Sequence, residues 1–171
     1  KGSVYSPISV SVSNLSGKSR LAFNVTNTPI SQNPIDGSKF GNNSNTGYAA
    51  GYSSTVFEPI DEFKGDIARC LLYFATRYET QIPGFYTSTA STVKVMFDGS
   101  SDQVFSTTFL NILLTWHMQD PVNAREIARN NAVYARQNNR NPYIDHPEYV
   151  CQIWSTQCAA LSNPTIEFAS I

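Results

Sequence analysis

Hydrophobic and polar positions follow one pattern before about residue 57 and another after it. In the first part, Ser9-Val10-Ser11-Val12-Ser13 alternates at period two, which predicts one short half-buried strand. From Asn24 to Ser54 no period survives. Pro29, Pro34, Gly37, Gly41, Gly47 and Gly51 punctuate the stretch, with Asn42-Asn43-Ser44-Asn45 between them. That composition predicts a long loop, ordered only if something packs over it.

From Phe57 onward the period turns helical. Ile67, Leu71, Phe74 and Tyr78 recur at i, i+4, i+7 and i+11, which predicts a helix from about Phe63 to Glu79. Cys70 falls on the same face and reads as a buried small hydrophobe. Pro83 and Gly84 end the segment, and Val93–Phe97 resembles a strand or short extended connector. A block from Ser106 through Trp116 is apolar nearly all round, as a central helix should be. Asp120-Pro121 then stops it and starts the next helix, with Asp120 as N-cap and Pro121 at the first helical position, running to about Gln137. A last start signal is Asp145-His146-Pro147-Glu148, a capping box with Asp145 as cap. The predicted core is Ile67, Leu71, Phe74, Phe109, Leu113, Trp116, Ile127, Tyr134, Ile153 and Trp154.

The length of 171 residues suits a single domain over 1–171 with a real core. It divides into a strand- and loop-rich part (1–56), a helical part (57–158) and a C-terminal tail (159–171), a mostly helical α+β fold. Charged residues make up only 15% against 41% apolar, and Ser, Asn and Thr fill the gap. The net charge of −1 excludes a strong global attraction to nucleic acid but leaves room for a local basic patch. No apolar run approaches the roughly 18 residues of a membrane span. Lys1-Gly2-Ser3-Val4-Tyr5 lacks a signal peptide's hydrophobic stretch, so any export signal is expected to have been removed. Three cysteines are too few for a disulfide scaffold and too scattered for a tetrahedral zinc site. Cys151 and Cys158 are close enough to pair across a helix end, with Cys70 left reduced, and this favours an oxidising, extracellular address.

The clearest chemical feature is an arginine stripe. Arg125, Arg129 and Arg136 stand at i, i+4 and i+11, within about 40° of one another on a helix, and Arg140 follows just past its end. Such a row is able to track phosphates. Composition favours the alternative, in which Asp120, Glu126, Asp145 or Glu148 pair with these arginines, at least two of the four being held within the fold. His117 and His146 are the two histidines. They are too far apart in sequence for a helical two-histidine metal site. His117 reads as a core-edge residue, and His146 as a weak candidate for lone acid–base work. No catalytic residue and no metal ligand is identified from the residues alone, and no cofactor is expected in this chain.

Three blocks say more together. They are Phe57-Glu58-Pro59-Ile60-Asp61-Glu62-Phe63-Lys64-Gly65-Asp66-Ile67-Ala68-Arg69 with Phe74–Glu79, Leu114–Val122 running into Arg125–Tyr134, and Asn139-Arg140-Asn141-Pro142-Tyr143-Ile144-Asp145-His146-Pro147-Glu148-Tyr149-Val150. In this order, over roughly residues 37–158, they resemble the bacterial secreted endonuclease I family of His-Me finger nucleases. The wording is most like that of Bacteroidetes-type members, many of which carry a further C-terminal secretion domain. The resemblance implies metal-dependent, largely non-specific cleavage of DNA or RNA. It implies one divalent ion (Mg²⁺ or Ca²⁺), a histidine base, and a glutamate and an asparagine holding the ion.

This sequence departs from that pattern at its start. Relatives carry a Glu-His pair upstream of an Asp-x-His-Asn-Leu-x-Pro segment. The best register sets Lys1–Pro7 there, with Lys1 in place of Asp and Val4 in place of the metal asparagine. The expected fold is thus an endonuclease I-like scaffold lacking the first part of its ββα finger, either an N-terminally incomplete fragment or a degenerate homologue. Either way this polypeptide alone is not expected to cleave phosphodiesters. Weak nucleic-acid binding is expected, and a protein partner covering the incomplete N-terminal part is allowed. The alternative function is a non-catalytic extracellular binding or structural module in a larger cell-surface assembly.

Overall fold

The computed structural model describes residues 26–32, 38–88 and 94–162. The strand expected at Ser9–Ser13 and the Lys1–Pro7 register lie outside them.

The stretch read as a long loop instead carries a small sheet. Strand β1 (Thr26–Gln32) runs antiparallel to β2 (Lys39–Asn43), which runs antiparallel to β3 (Thr55–Glu58), in the order β1-β2-β3. The ladder forms without a hydrophobic period because hydrogen bonds rather than alternation hold it. Pro29 is tolerated in β1 because β1 is an edge strand with register shifts on either side of that residue. The asparagine-rich run closes the sheet on itself. Asn43 is buried, and its Nδ2 donates to Ala49 O at 2.9 Å and Tyr52 O at 2.6 Å.

The rest is helical: α1 (Lys64–Arg77), α2 (Ile82–Ser88), α3 (Thr107–Gln119), α4 (Ala124–Gln137), α5 (Pro142–Asp145), α6 (Tyr149–Ile153) and α7 (Ser155–Ser162). The fold is therefore α+β and mostly helical. Helix α3 is central, as its all-round apolar sequence requires. Leu110, Ile112, Leu113, Leu114 and Trp116 are fully buried among α1, the Gly47–Ala49 turn and α7. Each such side chain contributes roughly 1.5–3 kcal/mol of burial free energy.

Several local expectations are corrected. Pro83 does not end a helix but sits in the first turn of α2, where its missing N–H costs nothing. Of Val93–Phe97, the described residues form a turn with one bridge, Phe97 to Phe105. The inward face of α1 is rotated by about one residue. Ala68, Leu71, Leu72 and Ala75 are buried, whereas Ile67 and Phe74 are half-buried and Tyr78 is exposed. The rotation follows from Gly65, where a Cβ would stand 2.0 Å from Asp120 O, so that the chain leaving α3 approaches α1 on that side.

Ile127, Tyr134 and Ile153, placed in the core from sequence, are 44%, 47% and 52% exposed. Helix α4 turns a polar edge inward, and its buried residues are Glu126 and Asn130.

A disulfide joins Cys151 in α6 to Cys158 in α7 with a Cα–Cα distance of 5.6 Å, and Cys70 is a free thiol. The bridge spans the turn at buried Trp154. Its loop is short, so reduction is expected to cost about 2 kcal/mol. Urea unfolding with and without reductant measures this, and coincident curves would contradict it.

Candidate nucleic-acid interface

The local start of α4 fixes where its arginines go. Asp120 and Pro121 do not cap it. The N-cap is Asn123, whose side chain accepts from Glu126 N at 3.1 Å. Asp120 is drawn away because its Oδ2 accepts from Gly65 N at 2.8 Å, at the positive end of α1. The α4 helix ends at Asn138 in the left-handed conformation, with φ 55°.

The next turn is held by side-chain amides. Asn141 caps α5, accepting from Tyr143 N at 3.0 Å, and its Nδ2 donates to Arg69 O at 3.0 Å. Asn130 accepts from Asn141 N at 3.0 Å and donates to Asp145 Oδ1 at 3.3 Å. Asp145 is thus the last residue of α5 and not the cap of the following helix. Its carboxylate is held below the usual range, first by its hydrogen bond with Arg140. Glu148 caps α6 by position without a side-chain bond and instead accepts from His146.

The centre of this region is a buried ion pair that the sequence reading missed. Arg69 of α1 is fully buried and reaches Glu126 of α4, also fully buried. Nε lies 2.8 and 3.0 Å from the two carboxylate oxygens and Nη2 lies 2.5 Å from Oε2. Nη1 donates to Asp120 O at 2.8 Å. His117 of α3 closes the cluster, with Nδ1 3.5 Å from Arg69 Nη1 and Nε2 3.1 Å from Pro147 O. Burial, then the Arg69 charge, lower its pKa to about 4, so the ring is neutral and carries its proton on Nε2 toward Pro147 O. Asp66 lies at the rim with its Oδ1 buried and unbonded, its pKa raised by burial and by Glu126. Part of the signal is legible. Lys64 falls on the arc of α1 that carries Ala68, Leu71, Leu72 and Ala75, whereas Arg69 stands about 60° past its edge.

The four arginines separate into three kinds. Arg140 is engaged within the fold, with Nε and Nη2 each 2.6 Å from Asp145 and Nη1 2.8 Å from Asn131 Oδ1. Arg125 pairs with Glu62 at 2.6 Å and lies 4.2 Å over the Phe63 ring. Arg129 has only long contacts: Cys70 Sγ at 3.6 Å, Glu126 at 3.7 Å and Asp66 at 3.9 Å. Arg136 is exposed and makes no ion pair with any described residue.

No three His, Cys, Asp or Glu side chains among the described residues converge as a divalent-metal site would require. His117 faces a guanidinium, which repels a cation, and His146 is exposed and bound to Glu148 at 3.1 Å.

A profile of the Endonuclease I family matches residues 6–148. The chain belongs to the endonuclease I family. Two curated relatives are similar to it. One, an extracellular ribonuclease of Bacillus amyloliquefaciens, is 42% identical over 104 residues, covering 60% of this chain and 34% of the relative. The other, an extracellular ribonuclease of Bacillus subtilis (strain 168), is 38% identical over 114 residues with the same coverage. The chain thus spans about a third of the length of these relatives. No solved structure matches it significantly. No helix among the described residues is long and apolar enough to cross a membrane. The chain is a nuclease-family member, and the buried Arg69–Glu126 pair belongs to the matched segment.

Proposed function

We propose that this chain is a secreted endonuclease I-family protein whose helical part binds nucleic acid, and that the polypeptide by itself does not cleave phosphodiesters. The observation that carries the second half is the fate of its two histidines. A general base in this chemistry must reach a water and hold its lone pair free near neutral pH. His117 is neutral but sealed between Arg69 and Pro147 O. His146 is exposed, stacked on Tyr149 at 4.8 Å, and has one carboxylate neighbour in place of a ligand set. Secretion is supported by the Cys151–Cys158 bridge and by relatives described as extracellular. The metal-dependent, non-specific cleavage and the His-Me finger belong to the whole-protein reading, with the metal asparagine position falling at Val4 in the register above.

Incubation of the purified chain with plasmid DNA and with RNA, in Mg²⁺ and then Ca²⁺, tests this. No cleavage above a buffer control is expected. Metal-dependent nicking that co-elutes with the chain through successive columns overturns it.

A further inference from the structure

Helix α1 carries a second stripe that the arginine row of α4 does not explain. Asp66, Cys70, Tyr73 and Arg77 stand at i, i+4, i+7 and i+11 on α1, one line along its surface. The contacts show that this line looks toward α4. Arg129 Nη2 lies 3.9 Å from Asp66 and 3.6 Å from Cys70 Sγ, and Asn139 Nδ2 donates to Tyr73 OH at 3.1 Å. One wall of the resulting groove is therefore the Asp66–Arg77 line, and the other is the Arg129–Arg136 line.

Charge in the groove is unevenly spent. At its closed end Asp66 and Glu126 are buried and already faced by Arg69, Arg125 and Arg129. About three turns further along each helix, roughly 15–16 Å, stand Arg77 and Arg136. Both are exposed, and neither makes an ion pair with a described residue. Beside Arg77 is the exposed ring of Tyr78, with the guanidinium 5.5 Å from its centroid.

We propose that the α1–α4 groove takes the backbone of a single nucleic-acid strand, with Arg77 and Arg136 as its phosphate contacts and the exposed tyrosine beside Arg77 stacking on a base. This rests on the nucleic-acid reading above and sharpens it. Arg125 and Arg140, spent on Glu62 and Asp145, are excluded from the row. A single strand suits the site because stacking on an aromatic ring needs bases that are not already paired. The bland account of Arg77 and Arg136 is that each sits in the last turn of its helix and offsets the helix dipole. That role affects stability and leaves salt-dependent binding untouched.

The test is fluorescence anisotropy of labelled oligouridylate and oligothymidylate, in EDTA, over about 50–200 mM KCl. The proteins are the 171-residue chain and its Arg77→Ala, Arg136→Ala, double and Lys94→Ala variants, with thermal melts of each. Each groove arginine should remove about 0.7 from the slope of log affinity against log salt, and the double variant about 1.4, with Lys94→Ala unchanged. An unchanged slope in the double variant, with or without a lowered melting temperature, overturns the groove alone. Equal competition by a duplex overturns the single-strand assignment. Absence of salt-dependent binding by the unaltered chain overturns the groove and the nucleic-acid reading together.

Discussion

Glu126→Ala is expected to destabilise the fold by about 3–5 kcal/mol, more than any single loss of a surface arginine. The size comes from what is left behind. Arg69 is fully buried, and without Glu126 its Nε and Nη2 lose their near carboxylate, leaving Asp66 at 3.7 Å as the remaining acidic neighbour. The pair itself is worth much less than that loss, because both ions were stripped of water to form it. Replacing both at once, as Arg69→Met/Glu126→Leu, should therefore recover most of the stability. Urea denaturation of the three proteins decides. If Glu126→Ala unfolds at the same urea concentration as the unaltered chain, the buried pair has been misjudged.

Acid is expected to act through His117. Its pKa is about 4 in the folded chain against an ordinary 6.5, so the unfolded chain binds the proton first as pH falls. Stability is therefore full above pH 6.5, declines as pH falls toward 4, and loses nothing further from this group below that. A gap of this size corresponds to about 3 kcal/mol. Glu58 and Asp66, whose carboxyls are pushed up by burial, act in the opposite sense and soften the decline toward its lower end. The clean window is thus the upper end of the range, just below pH 6.5, furthest from the carboxyls. His117→Gln keeps a neutral side chain there and should flatten it. A denaturation midpoint with the same pH slope in both proteins would refute the assignment.

The sequence is most legible where burial is all-round and least where polar groups are buried. Helix α3 is legible because Phe109 to Trp116 is apolar nearly all round, with only Asn111 and Thr115 as polar positions. The disulfide was readable from spacing, since seven residues across a helix end bring the two cysteines together. Helix α4 was readable in extent but not in facing. Its apolar residues Ile127 and Tyr134 suggest an inward stripe, yet Glu126 and Asn130 are the ones buried, Glu126 satisfied by Arg69 far away in sequence and Asn130 by Asn141 in the next turn. Periodicity ranks residues by hydrophobicity and cannot register a partner such as Arg69, 57 residues earlier. The same limit hid the sheet. Strands β1 to β3 hold by main-chain pairing and by Asn43, and their glycines and asparagines carry a loop's composition.

The stripe of arginines was visible, whereas its division was not. Spacing put Arg125, Arg129 and Arg136 on one face, but only the fold shows that Glu62 takes the first and that no described carboxylate takes the last. Arg77 closes a helix whose apolar face is the legible one, so spacing alone does not mark it out.

The way α4 is fastened governs how the chain breathes. A helix held by apolar packing gives up its amide protons only when the core opens, whereas α4 is moored by Glu126 and Asn130 alone among its buried side chains. Its amides from Val133 onward should therefore exchange with solvent deuterium through opening of that one helix, well before those of α3. A mooring of this kind loosens as a unit, since releasing Glu126 also frees the turn that Asn130 holds. Exchange in α4 would then report on whatever occupies its surface, slowing on binding while the rate in α3 stays fixed.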